Sequence, residues 1–203
     1  MSPRTYQSVQ RQATVEETRG RIIRAVHTLL GADGDVHGFT VDAVAREANV
    51  ARMTVYYQFG SKAGLLEALC DYLAERGGME QLSQAFRHAD GRAALAQFVA
   101  TFGQFWEADR AVTRRLRGFA ALDPEFAQVV RARDERRRAG LRVLVERLAK
   151  EYGHPAPAQC EQVVDVLYTL IGFEYFDILA GDQRPLTEVI PLVQRLAELA
   201  LAL

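Results

Sequence analysis

Apolar positions recur every three or four residues along this chain, and no segment keeps the strict alternation of a half-buried strand. The pattern predicts an all-α fold. Ile22, Ile23, Val26, Leu29 and Leu30 draw the apolar face of a first helix, with Thr14-x-x-Glu17 placed as a capping box at its start. The glycine-rich stretch GADGDVHG, from Gly31 to Gly38, ends that face. A short second helix is expected from Val41 to Ala48, capped by Thr40 and carrying Val41, Val44, Ala45 and Ala48 on one side. Asn49-Val50-Ala51 breaks it, and asparagine tolerates the left-handed backbone that a sharp interhelical turn requires.

A third helix, ARMTVYYQF, follows at once and is closed by Gly60. Ser61 is placed to cap a fourth, longer helix with Leu65, Leu66, Leu69, Tyr72 and Leu73 on one face, ending at Gly77-Gly78. Further helical patterns run at about Met79 to His88, Gly91 to Ala108 and Ala111 to Ala121. Asp123-Pro124 then opens a long helix as cap and first position, stopped near Tyr152 by Gly153 and the run Pro155 to Ala158. Two more helices, Gln159 to Ala180 and Leu186 to Leu203, complete the chain. A small domain over residues 1–60 and a larger helical domain over residues 61–203 are expected, bridged by the fourth helix.

Composition narrows the function classes. With 203 residues, 49% hydrophobic and 25% charged, the chain can build a core without a disulfide or metal staple and lacks the signature of disorder. Cys70 and Cys160 sit apart in apolar helical patterns, with no CxxC and no histidine at ligand spacing, so core thiols are expected and no metal or cofactor. No apolar leader and no charge-free span of membrane length occur, which predicts a cytoplasmic protein with no membrane partner. The sequence holds no GxSxG elbow, no HExxH and no phosphate-cradling glycine loop, and its four histidines are scattered, so catalysis is not expected.

A net charge of -1 gives no general reason to expect nucleic acid. The charge is uneven, however: Arg4, Arg11, Arg19, Arg21 and Arg24 face only Glu16 and Glu17 in the first thirty residues, consistent with phosphate contact. The sharper signal is local. Two short helices joined by a tight turn, the second rich in groups able to reach phosphates and base edges, describe a helix-turn-helix that lays its second helix in the major groove.

The continuous string FTVDAVAREANVARMTVYYQFGSKAGLLEAL, Phe39 to Leu69, closely resembles the TetR family of bacterial regulators. The resemblance is specific over roughly residues 14–70 and rests beyond that on helical layout. It implies an N-terminal three-helix DNA-binding domain followed by a larger ligand-binding and dimerisation domain. The function implied is that of a DNA-binding regulator, by family default a repressor released from its operator by a small molecule. The alternative is an effector-independent regulator or activator controlled by a protein partner.

The residue roles also make physical sense by themselves. Thr40 caps a helix whose N-terminal dipole favours a phosphate oxygen. Arg52 can pair with guanine or reach a phosphate, and Met53 and Thr54 can meet base edges and thymine methyls. Val55 and Phe59 are expected to face inward. Tyr56 and Tyr57 are adjacent, so a helix cannot bury both equally; the resemblance assigns the pair to base stacking or phosphate hydrogen bonds, and one of them can instead pack on the fourth helix. Lys62 resembles the family's phosphate-binding lysine. Gln58 departs from the family's frequent histidine, and Ala51 from its usual capping serine or threonine.

A domain this small reads few base pairs, so a homodimer on two half-sites of double-stranded DNA is expected. Leu167, Leu170, Ile171, Val189, Leu192, Val193, Leu196, Leu199 and Ala200 give apolar stripes wide enough for a core and a partner face, and the resemblance implies a four-helix interface there. Phe102, Trp106, Phe119, Phe126, Tyr168 and Phe173 are candidate pocket residues for a small hydrophobic or amphipathic effector, although an aromatic stripe equally serves packing. Asp165, Glu174 and Asp177 could orient a cationic effector. The Arg-rich run from Arg131 to Arg142 reads as a solvated face, with an anionic effector as the other possibility.

Overall fold

The computed structural model describes residues 3–31 and 39–202, and the chain divides into two compact units. The first comprises Met1–Tyr72 and Arg114–Ala127. Its opening helix α1, Pro3–Gly31, begins well before the expected capping box. Thr14 lies inside this helix, and its hydroxyl donates to the Gln10 carbonyl at 2.9 Å instead of capping. After Pro3 at the first helical position, nothing up to Ala13 breaks the backbone ladder, so the helix propagates through a polar stretch. The expected stop from Ala32 to Gly38 lies outside the described residues.

Helix α2, Val41–Glu47, is capped by the Thr40 hydroxyl oxygen, which accepts from the Ala43 amide at 3.1 Å. Asn49, at φ 51°, turns the chain into α3, Arg52–Phe59. Gly60, at φ 74°, then turns it into α4, Lys62–Arg76, where the Ser61 hydroxyl caps the Gly64 amide at 3.0 Å. Ile22, Val26, Leu30, Val44, Val55, Leu65, Leu69 and Phe126 are buried in this unit's core. Arg115 donates to the Leu30 carbonyl near the end of α1, one of the acceptors that a helix terminus leaves without an intrahelical donor.

The second unit comprises Leu73–Thr113 and Gln128–Leu203. The helix expected at Met79–His88 shortens to a 3₁₀ turn, Met79–Gln81, and a single turn α5, Leu82–Ala85. Helix α6, Gly91–Ala108, then precedes α7, Arg110–Leu122, and α8, Pro124–Tyr152. The segment expected as one helix from Gln159 to Ala180 is two, α9, Cys160–Leu170, and α10, Phe173–Ala180. They part at Gly172, whose extended backbone, φ -72° and ψ 151°, starts the second. The Ile171 carbonyl at this break accepts from the Trp106 indole at 3.1 Å, which supplies a buried partner for a group that an unbroken helix would have satisfied itself. The last helix, α11, Ile190–Ala200, starts after a 3₁₀ turn over Leu186–Val189. Gly103 lets it lie close to α6: a Cβ there would stand 2.5 Å from Ile190 Cγ1 and 3.0 Å from Phe176 Cε1.

One end of this unit is held by carboxylates. Asp90 caps α6 by accepting from the Arg92 and Ala93 amides and also accepts from the Tyr152 hydroxyl; Glu151 accepts from the Gly91 amide at 2.8 Å. The Tyr152 hydroxyl above all holds the Asp90 carboxyl below its ordinary value, and Arg147 does the same for Glu151. A depressed carboxylate favours the folded state above the ordinary carboxylate range and loses that contribution as pH falls through it. The melting temperature should therefore drop on acidification through that range. Asp90→Asn combined with Glu151→Gln should melt lower at neutral pH and show a shallower acid dependence, which differential scanning calorimetry over a pH series would read.

Among the described residues no helix is long and apolar enough to cross a membrane, and no group of three or more histidine, cysteine or acidic residues is placed to hold a metal ion. Cys70 and Cys160 are unbridged and half-buried.

Candidate nucleic-acid interface and effector site

Helix α3 is amphipathic in a way that its eight residues cannot show by composition. Val55 points inward at 2% exposure, while Met53 and Tyr57, one turn apart on the opposite side, are 72% and 85% exposed. Phe59 is half-buried beneath Arg19, whose guanidinium lies 4.4 Å from the ring centroid and donates to the Gln58 carbonyl at 2.9 Å. Arg19, in the basic first segment, thus also holds the end of α3. Arg21 and Arg24 are exposed, and the side chains of Arg4 and Arg11 lie outside those described.

The two tyrosines divide as adjacency demands. Tyr56 is half-buried, with the Arg52 guanidinium 5.6 Å from its ring centroid and 3.5 Å from its hydroxyl. Tyr57 is free of that contact. Arg52 also pairs with Asp42 on α2 at 3.0 Å, both side chains more than half exposed, so the bridge spans the two helices of the motif in water. The Tyr56 hydroxyl first and Asp42 second raise the pKa of the Arg52 guanidinium above its ordinary value, so it is charged at any working pH. Ala51 contributes no side-chain cap to α3, and its carbonyl accepts from the Thr54 amide at 2.9 Å.

Thr40 is exposed at the N-terminus of α2, and Thr54 is half-buried on α3. Lys62 is half-buried: its ammonium lies 4.1 Å from the Phe119 ring centroid and 5.3 Å from that of Phe39. Sequence reasoning had no access to that partner, because Phe119 is more than fifty positions away along the chain.

The six candidate pocket aromatics do not converge on one place. Phe102, Trp106, Tyr168 and Phe173 belong to the second unit, with Trp106 ring-to-ring at 5.9 Å from Phe102 and 5.7 Å from Phe173. Phe119 and Phe126 belong to the first unit, where Phe119 meets Phe39 edge-on at 5.9 Å and Phe126 is fully buried. Of the acidic candidates for a cationic ligand, Asp165 pairs with Arg138 and Asp177 pairs with Arg110 at 2.7 Å, while Glu174 is exposed.

The Arg-rich run departs from a solvated face at one residue. Arg138 and Arg142 reach Glu161 on α9, as surface charges do, but Arg137 is buried in the second unit. Helical periodicity placed charges there and could not say which would be covered by a neighbouring helix. On α11, Val193, Ala197 and Ala200 go to the core. Leu192 and Leu196 stay half-exposed, and Leu199 is 68% exposed, as is Ile178 of α10 at 78%.

The family model "Bacterial regulatory proteins, tetR family" matches residues 22–69, the segment from within α1 to mid-α4 that contains the candidate residues from Thr40 to Lys62. No curated protein matches the chain. Among solved structures, a TetR transcription regulator from Haloarcula marismortui aligns with 92% of this chain and 97% of its own at 20% identity and a TM-score of 0.71. A transcriptional regulator from Saccharomonospora viridis in complex with choline aligns with 90% and 96% at 17% identity and a TM-score of 0.68. The regulator FadR from Bacillus subtilis in complex with stearoyl-CoA aligns with 87% and 96% at 16% identity and a TM-score of 0.65. At these identities the likeness is one of fold.

Proposed function

Because residues 22–69 match the model of the tetR family of bacterial regulatory proteins, we propose that this chain is a member of that family and a homodimeric repressor of double-stranded DNA released by a small hydrophobic or amphipathic effector. The observation that carries the DNA-binding reading is the split of α3: Val55 anchors it while Arg52, Met53 and Tyr57 project outward. Residues 1–60 would supply the DNA-binding domain and residues 61–203 the effector-binding and dimerisation domain. Thr40, Arg52, Met53, Thr54, Tyr56, Tyr57 and Lys62 are the proposed DNA contacts. The Phe102, Trp106, Tyr168 and Phe173 group is the proposed lining of the effector site. Neighbours of this fold that carry choline or stearoyl-CoA support a small-molecule effector.

Helix α4 begins in the first unit and ends in the second, and α7 crosses in the other direction, so displacement of either can couple the two by chain continuity alone. Release then needs an effector that binds the DNA-incompetent form better. Moving the population from nearly all competent to nearly none takes about 5.5 kcal/mol of differential affinity. An effector that binds the DNA complex equally well would leave repression untouched.

The test is an anisotropy titration of the full chain on the intergenic DNA beside its own gene, with unrelated duplex as competitor. Competitor-resistant, salt-sensitive binding is expected, and indifference between the two duplexes would remove the reading. In the same assay Lys62→Met should weaken binding to all sequences alike and flatten the salt dependence by about one unit of slope per lost phosphate contact. An unchanged slope would leave Lys62 to its aromatic neighbours alone.

The exposed apolar positions on α11 support the dimer. Leu199→Glu, made together with Ile178→Glu, should convert a dimer to monomer in light scattering with little loss of helicity, because neither side chain is part of the buried core. Dimers that persist would place the partner face elsewhere.

A further inference from the structure

Arg52 opens α3, and its guanidinium is aimed by two neighbours. Nη1 donates to both carboxylate oxygens of Asp42 on α2, at 3.0 and 3.3 Å. Nη2 stands 3.5 Å from the Tyr56 hydroxyl, and the central carbon lies 5.6 Å from that ring's centroid. Both members of the ion pair are more than half exposed, and an exposed pair stabilises a fold by about 1 kcal/mol at most. Stability therefore gives little reason for it. What the pair does fix is direction. An arginine free in water samples many rotamers, and ordering one costs up to roughly 2 kcal/mol, a cost met here before any DNA arrives.

The donors left over set what Arg52 fits. Asp42 engages Nη1 alone. Nη2 carries two protons, and the long contact with Tyr56 takes one of them at most. Nε–H and the Nη2 proton beside it form the other edge of the planar fork, two parallel donors that match O6 and N7 of guanine in the major groove. A phosphate is the poorer match. Attraction to a phosphate depends on net charge, and the Asp42 carboxylate at 3.0 Å offsets that of Arg52. Guanine presents two acceptors without a net charge, so the carboxylate costs it little.

We propose that Arg52 reads a guanine in each operator half-site, and that Asp42 is the positioning residue that holds it to that base and away from the phosphates. This rests on the DNA-binding reading above and chooses, between the two roles open to Arg52, the base over the backbone.

The full chain would be used to select duplexes from a randomised pool, and the enriched duplex and its single-base variants would then be titrated by anisotropy over a salt series. The parent protein should enrich a two-fold motif in which a guanine is favoured over the other bases by roughly tenfold or more. Arg52→Ala should erase that preference and leave the other positions as they were. Arg52→Lys, which keeps the charge but not the fork, should erase it equally without changing the salt dependence. Asp42→Ala frees the guanidinium for the backbone. The guanine preference should then fall by about threefold or more, binding to unrelated duplex should tighten, and the salt dependence should steepen by about one unit of slope per protomer. Both side chains are exposed, so these variants keep the fold.

Three results would overturn the assignment: a guanine preference that survives Arg52→Ala, a loss of binding by Arg52→Ala that is uniform over all sequences with a shallower salt slope, or an Asp42→Ala protein with the parent's preference and slope. In each of them the parent still selects a motif, so the DNA-binding reading stands. A parent chain that enriches no motif removes that reading, and this assignment with it.

Discussion

Tyr57→Ala is expected to weaken operator binding by about a hundredfold while leaving the melting temperature unchanged. The side chain is 85% exposed, so its removal takes little from the fold, and substitutions at such positions shift stability by roughly 0.5 kcal/mol at most. Its position one turn from Met53, opposite the buried Val55, puts it on the exposed face of α3. A hydrogen bond to a phosphate, or an equivalent contact with a base, contributes about 1.5 kcal/mol or more per protomer, and a two-fold dimer makes the contact twice. Tyr57→Phe divides the effect: retained affinity points to the ring, lost affinity to the hydroxyl. Parallel calorimetry is the control, because a drop in melting temperature matching the loss of affinity would make Tyr57 a structural residue.

Gly64→Ala acts by the opposite route. A Cβ at this position in α4 would stand 2.2 Å from the Phe59 carbonyl oxygen, a backbone atom at the end of α3 that no rotamer change can move. Either α4 tilts or α3 shifts, at a cost toward the upper end of the roughly 1–3 kcal/mol typical of overpacking. The melting temperature should fall by roughly 5–10 °C, and specific DNA binding should fall with it because the displaced element carries Arg52 and Tyr57. Gly118→Ala on α7 is the internal control. Nothing lies within 4 Å of its Cβ, so helix propensity alone predicts a small gain in stability. If Gly64→Ala behaved like Gly118→Ala, the close approach of α4 to the end of α3 would be wrong.

These two glycines show where a sequence reading stops. Both stand in helical patterns, and nothing in their neighbours along the chain distinguishes the one that must be glycine from the one that need not be. Gly60 and Asn49 were legible, because a turn between two short helices demands a positive φ at a position that sequence identifies, and the backbone adopts it at both. Thr14 misled for a related reason. A capping box is a local possibility, realised only if the preceding residues leave the helix, and here α1 continues through them.

The arginines carry the same lesson in electrostatic form. Arg19, in the basic first segment, donates to the Gln58 carbonyl, a partner that its position in the sequence does not reveal; Arg137 was read as part of a solvated face and lies among aromatic rings. A charged side chain on an amphipathic pattern is exposed unless another helix crosses over it, and that crossing is set by residues far away in sequence. Phe119 and Phe126 were grouped with the effector aromatics by type, and contact places them in the first unit, where Phe119 meets Phe39.

By itself the sequence determined the all-helical class, the two short helices with their Thr40 and Gly60 boundaries, the inward Val55 and the resemblance to a known reading head. Each of these rests on periodicity, caps and turns that act within a few residues. Only the tertiary structure decided which tyrosine faces out, which arginine is buried, where the helix from Gln159 to Ala180 breaks around the Trp106 indole, and which leucines of α11 are left uncovered. Those outcomes depend on which helix faces are brought against one another, and packing between distant segments follows from the whole set of volumes and charges, which no local pattern contains.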